Sequence, residues 1–152
     1  MIGITSCGYH VPFYRLEREK IGHAWARRPG RGERAAIYFD EDALTLGMEA
    51  AQRCLEDTGK TGIDGVYFAS TSAPFRQRSA ASFLAAACDL RPECETADFG
   101  ASLRSATTAL RAGLDAVGSG RLSQVLIAAG EVRDGQPGEG QEDWFGDAGS
   151  AV

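Results

Sequence analysis

Residues 96–110 read TADFGASLRSATTAL. Thr96–Phe99 is a short β-type run, Gly100 supplies a turn, and a helix rich in alanine, serine and threonine opens at Ser102. A helix N-terminus carries partial positive charge, which lowers the pKa of a thiol placed there and stabilises its thiolate. Strand, tight turn and helix tip together make a pedestal for a nucleophile. At the tip stands Leu103, flanked by Ser102 and Arg104. Leucine has no nucleophilic atom.

On either side of this stretch, strand-like and helix-like segments alternate. Ile2–Tyr9 is β-rich and stops before His10-Val11-Pro12. Leu16–Ile21 reads as a short helix leading to a basic loop, Ala26–Arg34. Asp40, Glu41 and Asp42 supply carboxylates for the start of a helix running to about Asp57. Leu44, Met48, Ala51 and Leu55 recur along it at helical spacing, and Thr58-Gly59 stops it. Val66–Ser70 is a buried-strand run, and Ser79–Leu90 is a helix of small and apolar residues that implies burial on several sides. Glu95–Phe99 is the next strand and Ser102–Val117 the next helix, closed by Gly118-Ser119-Gly120. Gln124–Ala129 is a third buried strand, Glu131–Asp143 a polar Gly-rich loop, and Trp144–Val152 enters another strand.

This alternation predicts an α/β fold: βαβ crossovers and a mainly parallel sheet with helices on both faces. Ala101, Ser105, Ala106, Ala109, Ala112 and Gly113 predict that the Ser102–Val117 helix is packed on nearly every side at the centre. A last strand with no continuation predicts an uncovered apolar sheet edge, hence a chain that belongs to something larger and is not a stable monomer.

Composition narrows the functional classes. A chain of 152 residues, 43% hydrophobic and 24% charged, suits one folded domain. Net charge −5 argues against non-specific binding to nucleic acid or to a membrane surface. Cys7, Cys54, Cys88 and Cys94 show neither a CxxC pair nor zinc-type spacing, so no metal site is predicted. Cys54 and Cys88 lie on apolar helical stretches and read as buried free thiols. With no run of transmembrane length, a reducing cytoplasm is the expected setting. His10 and His23 sit on separate elements and read as structural residues. The Gly-Ser-Gly at 118–120 follows a helix and reads as its C-cap, not as a phosphate loop.

In order and spacing the chain resembles the thiolase superfamily, most closely its hydroxymethylglutaryl-CoA synthase and ketoacyl synthase III branch. The segments that carry this are GITSCGYHVPFYRL, GRGERAAIYFDEDALTLGMEAA, GVYFASTSAP, DFGASLRSATTAL, QVLIAAGE and WFGDAGSAV, which span nearly the whole chain. The resemblance implies that residues 1–152 are a thiolase-like N-terminal domain, a five-stranded sheet whose C-terminal half would complete a five-layered αβαβα whole. It also implies a homodimer formed beside the strand before the nucleophile helix. The substrate it implies is an acyl-CoA thioester, with no further cofactor.

The family's acylated cysteine aligns with Leu103 and its acid–base glutamate with Thr71. Both positions are therefore substituted. Ser102 offers a hydroxyl one residue away, but successive helical residues point about 100° apart; as an N-cap it has a simpler role. The Thr71 hydroxyl, of pKa far above neutrality, cannot relay a proton as a carboxylate does. Arg27, Arg28, Arg31 and Arg34 either grip the CoA phosphates or form a solvated loop balanced by Asp40, Glu41 and Asp42. Arg104 either meets an anionic acyl group or pairs with Asp98. Three functions are consistent with these residues. One is a hydroxymethylglutaryl-CoA synthase-like condensing enzyme with an altered or lost nucleophile. The second is a non-catalytic acyl-CoA-binding or scaffolding subunit that supports a catalytic thiolase and a zinc-containing OB-fold partner. The third is a CoA-thioester carbon–carbon lyase that needs no acyl-enzyme.

Overall fold

The computed structural model describes residues 2–28, 30–133 and 135–152. In chain order its elements are β1 (Gly8–His10), β2 (Tyr14–Glu17), α1 (Arg18–Ala24), β3 (Glu33–Ala36), α2 (Ala43–Thr58), β4 (Gly65–Ala69), α3 (Ala80–Ala87), β5 (Glu95–Phe99), α4 (Ser105–Gly118), β6 (Val125–Glu131), α5 (Gly140–Trp144) and β7 (Ala148–Ala151). Five strands form one sheet in the order β1-β7-β6-β4-β5, and β2 pairs with β3 in a separate antiparallel ribbon. β4 lies parallel to both β5 and β6, whereas β7 runs antiparallel to β6 and to β1. Among the described residues β7 alone opposes the common direction, so the sheet is mainly parallel.

Strand alternation sorts the core into two layers. Val66, Phe68, Leu126 and Ala128 face α2 and α3, meeting Leu44, Cys54, Leu55 and Leu84. Their neighbours Tyr67, Ala69 and Ile127 face the other way, onto Ala109 of α4. Phe68 and Leu84 are among the largest fully buried side chains, each stabilising the fold by about 1.5–3 kcal/mol relative to exposure. The helix starts are chemically defined. Asp42 Oδ1 accepts from the Thr45 amide at 2.8 Å while Thr45 Oγ1 accepts from the Asp42 amide at 2.7 Å, a reciprocal box at the start of α2. Ser79 Oγ accepts from the Ser82 amide at 3.1 Å and caps α3.

Helix α2 approaches the sheet so closely that its backbone rests on glycines of three adjacent strands. A Cβ on Gly8 (β1) would lie 2.1 Å from the Ala50 carbonyl oxygen, one on Gly149 (β7) 2.0 Å from that of Leu46, and one on Gly130 (β6) 1.8 Å from that of Ala43. No side chain fits in these gaps, and the glycines set how near helix and sheet can come.

Several expectations are corrected. The segment before α1 is a strand, β2, and part of the basic loop is its partner β3; Tyr14–Ala36 forms a ribbon with α1 in its connection. Gly140–Trp144 forms a short helix inside the loop expected to be irregular. The last strand, β7, is not an edge: it is inserted between β6 and β1, and the sheet's edges are β1 and β5. Helix α4 starts at Ser105 and is not packed on every side. Ser105, Ala109, Gly113 and Ala116 form its buried stripe, while Ala101 and Ala106 are exposed and Leu114 is 39% exposed. Its outer surface, with Ile2, Ile4, Leu110, Val117 and Val152, borders a groove of about 530 Å³. Cys54 and Cys88 are buried free thiols, and burial raises the pKa of each. No helix among the described residues is long and apolar enough to cross a membrane.

Candidate functional site

The carboxyl ends of β5, β4 and β6 lie side by side, with Ala69 in register with Phe99 on one side and Ala129 on the other. Open α/β sheets bind ligands beyond this end of their strands. Ser70 donates its amide to the Phe99 carbonyl at 3.0 Å, so the loops leaving β4 and β5 start in contact. The turn at 100–104, the Ser70-Thr71-Ser72 segment and Glu131 therefore share one edge.

Leu103 stands in the turn between β5 and α4 and is 76% exposed. Ala101 bends the chain with φ +60°, a left-handed conformation that costs a non-glycine residue roughly 1–3 kcal/mol. Ser102 closes the turn: its Oγ accepts from the Arg104 amide at 3.2 Å, and its carbonyl accepts from the Ser105 amide at 2.9 Å. The Ser105 hydroxyl also donates to that carbonyl. The Ser102 hydroxyl is thus occupied in the turn, two residues before the formal N-cap, Arg104, which makes no side-chain cap. Because the helix begins three residues later than expected, Leu103 lies ahead of its first turn. The expected Arg104–Asp98 pairing is not what Asp98 does: its Oδ1 accepts from the Ala81 amide at 2.8 Å, at the start of α3.

Thr71 does not stand alone. Its amide donates to Glu131 Oε1 at 2.5 Å and its hydroxyl to Glu131 Oε2 at 2.9 Å. The Ser72 hydroxyl donates to the same Oε2 at 3.2 Å and accepts from the Val132 amide at 2.9 Å. Arg133 Nε lies 3.8 Å from Oε2. Glu131 belongs to the end of β6, not to the polar loop in which the sequence placed it. What places it is register, which the sequence alone does not show: Ala69 lies beside Ala129, and two residues on, past the end of β4, Thr71 meets Glu131. A carboxylate thus stands against the residue that aligns with the family's glutamate, delivered by the neighbouring strand.

The four arginines do not form one phosphate grip. Arg34, only 10% exposed, donates to the Glu142 carbonyl at 3.0 Å and to that of Arg133 at 3.4 Å, and lies 3.6 Å from buried Asp147. It is a structural cross-link, turned inward. Arg27 donates to the Gly138 carbonyl. Arg31 borders a surface depression with Glu17, Glu19 and Glu33, whose charge opposes a phosphate. Arg28 is exposed. Of the acidic triplet, Asp42 caps α2 and Glu41 accepts from the Tyr38 amide at 2.7 Å. His10 Nε2 lies 3.8 Å from Glu41 and His23 Nε2 3.6 Å from Glu19, both far in sequence from the sheet edge that holds Leu103 and Glu131.

No family model matches the chain. Over 155 residues it is 34% identical to the hydroxymethylglutaryl-CoA synthase of Pyrococcus furiosus, covering 99% of this chain and 44% of that protein. The hydroxymethylglutaryl-CoA synthase of Methanosarcina acetivorans is 33% identical over 150 residues, 93% of this chain and 43% of its own length. Among solved structures, MvaS in complex with 3-hydroxy-3-methylglutaryl coenzyme A superposes with a TM-score of 0.89 at 19% identity, over 98% of this chain and 38% of that one.

This chain is a thiolase-fold relative of the hydroxymethylglutaryl-CoA synthases.

A β-ketoacyl-[acyl carrier protein] synthase III from Thermus thermophilus has the same fold, with a TM-score of 0.88 at 21% identity over 99% of this chain and 50% of that one. As a hydroxymethylglutaryl-CoA synthase relative, the chain spans under half the length of the curated proteins it matches. Within the thiolase fold, the edge that carries Leu103, Thr71 and Glu131 is the candidate site.

Proposed function

We propose that this chain supplies part of an acyl-CoA site of the hydroxymethylglutaryl-CoA synthase type, one that works without a covalent acyl-enzyme at Leu103. The observation that carries this is Leu103 itself, exposed in the turn between β5 and α4 of a fold whose relatives are condensing enzymes. An acyl group transferred to protein needs a nucleophilic atom at that turn. Leucine supplies none, and the neighbouring Ser102 hydroxyl is engaged by the Arg104 amide. The apolar side chain instead lines the place where an acyl group would come to rest.

The remainder of the site comes from a C-terminal half packed on the outer face of α4, over the groove bordered by Leu110, Val117 and Val152. Arg28 is the arginine of the basic loop best able to meet a CoA phosphate, since Arg34 is committed internally. Calorimetric titration with acetyl-CoA and with free CoA tests the reading. Saturable binding of the thioester is expected, and absence of binding by either compound contradicts it.

One observation favours a second reading, carbon–carbon cleavage of a CoA thioester by retro-aldol chemistry. That reaction needs a base and a stabilised enolate but no acyl-enzyme, and the edge offers a carboxylate, Glu131, together with a leucine in place of a thiol. Incubation with a 3-hydroxyacyl-CoA separates the two: release of a shorter acyl-CoA and a carbonyl compound supports the lyase, and intact thioester excludes it.

A further inference from the structure

We infer that Glu131 is the acid–base carboxylate of this site, held in place by Thr71 and Ser72. The inference rests on the acyl-CoA reading above and adds the residue that would move the proton. Thr71 aligns with a glutamate that is missing, but the parallel register of β4 and β6 brings the Glu131 carboxylate onto Thr71 from the next strand. Both of its oxygens are held: Oε1 by the Thr71 amide at 2.5 Å, and Oε2 by the hydroxyls of Thr71 at 2.9 Å and Ser72 at 3.2 Å. Ser72 is fixed in turn, because its hydroxyl accepts from the Val132 amide and its own amide donates to Ser70 Oγ, each at 2.9 Å.

A carboxylate offers roughly four acceptor sites. Three are filled here, all by groups that orient the carboxylate, and Oε1 keeps one to receive a proton. The side chain is 31% exposed, so it is reachable from solvent and not sealed in the core. Arg133 Nε at 3.8 Å supplies a counter-charge. Loops at the ends of β4 and β6 could be joined by any hydrogen bond; a carboxylate oriented on both oxygens and left partly open fits a proton acceptor.

The step is a proton transfer. The α C–H bond of a bound acyl-CoA breaks, an O–H bond forms on Glu131, and the electron pair passes to the thioester carbonyl oxygen as an enolate. Return of the proton restores the thioester. In D2O the returning nucleus is a deuteron, so the step is visible without any second substrate.

The experiment incubates the protein and its variants with acetyl-CoA in D2O and follows loss of methyl protons by NMR, with acetyl-CoA binding measured on the same samples by calorimetry. The natural protein is expected to wash deuterium into the methyl group. Glu131→Gln should bind acetyl-CoA unchanged but exchange about 10²–10⁴-fold more slowly, and Glu131→Asp should recover part of the rate. Thr71→Val, which keeps the amide and removes only the hydroxyl, should slow exchange by about tenfold and tests the arrangement even if the glutamine variant does not fold. Exchange as fast in Glu131→Gln as in the natural protein, or binding without exchange in the natural protein, overturns the inference and leaves acyl-CoA binding standing. Failure of the natural protein to bind acetyl-CoA overturns the binding reading, and the role of Glu131 with it.

Discussion

The Asp147 carboxylate, 2% exposed, accepts the Ile37 amide on one oxygen and the Arg133 amide on the other, each at 2.9 Å. It thereby ties the chain beyond the β2–β3 ribbon to the end of β6, and Arg34 at 3.6 Å supplies its counter-charge. Removing one partner of a buried pair leaves the other charge uncompensated, which costs about 3–5 kcal/mol. Asp147→Ala is expected to lower unfolding stability by that amount and to speed hydrogen exchange at the Ile37 and Arg133 amides. A loss below about 1 kcal/mol in denaturant unfolding, the scale of a surface pair, would show that Asp147 is not the tie described.

The contact of α2 with the sheet makes a steric prediction. A methyl group on Gly149 would meet the Leu46 carbonyl oxygen at 2.0 Å and its carbon at 2.4 Å, both backbone atoms that cannot swing aside. Gly149→Ala should therefore cost at least the upper part of the range of about 1–3 kcal/mol typical of overpacking. Gly140→Ala is the control, since a Cβ there meets nothing within 4 Å. Equal melting temperatures for the two variants would refute the close approach.

Asp64 gives a dependence on acid. Burial raises its pKa, but the backbone amides of Gln124 and Ser123, with Arg91 at 4.0 Å, outweigh this and hold it below the ordinary value. A folded value below the unfolded one means the unfolded chain takes up the proton more readily. The stabilisation is complete above the unfolded carboxylate value of about 3.9 and is lost as pH falls through the folded value. Asp64→Asn should thus be less stable than the natural protein near neutrality, with the gap narrowing as the pH is lowered from about 5 to about 2. A gap independent of pH, measured by urea unfolding across that range, would count against the carboxylate.

β5 is an edge strand with no partner on its outer side among the described residues. Unpaired strand edges recruit further strands, and a second copy joining across Glu95–Phe99 is the expected occupant. Sedimentation velocity should show a species above 16.2 kDa that grows with concentration. A monomer of that mass at the highest attainable concentration would exclude the pairing.

The sheet was legible because its central strands are short apolar runs bounded by glycine and polar residues. Val66–Ser70 and Gln124–Ala129 match β4 and β6 to within two residues, and the edge strand β5 coincides with Glu95–Phe99. The β2–β3 ribbon was not, because Tyr14–Glu17 and Glu33–Ala36 lack a buried face and their pairing joins residues separated by α1. β7 reads as a strand, but its place inside the sheet does not show in the sequence, since antiparallel insertion between β6 and β1 leaves no mark in a four-residue AGSA segment. At the candidate site, Leu103 and Thr71 could be located by alignment within a known motif. Glu131 could not, because what gives it meaning is the cross-strand register to Thr71, sixty positions away in sequence.

The absence of an acyl-enzyme is tested most directly by intact-mass spectrometry of the natural protein and of Leu103→Cys after incubation with acetyl-CoA. The substitution places a thiol in the exposed turn before α4, where the helix N-terminus favours a pKa below the free value of about 8.5. The natural protein is expected to keep its mass, and Leu103→Cys to gain one acetyl group that peptide mapping assigns to position 103. An acetyl adduct on the natural protein at Ser102 would contradict a site that works without covalent acyl transfer.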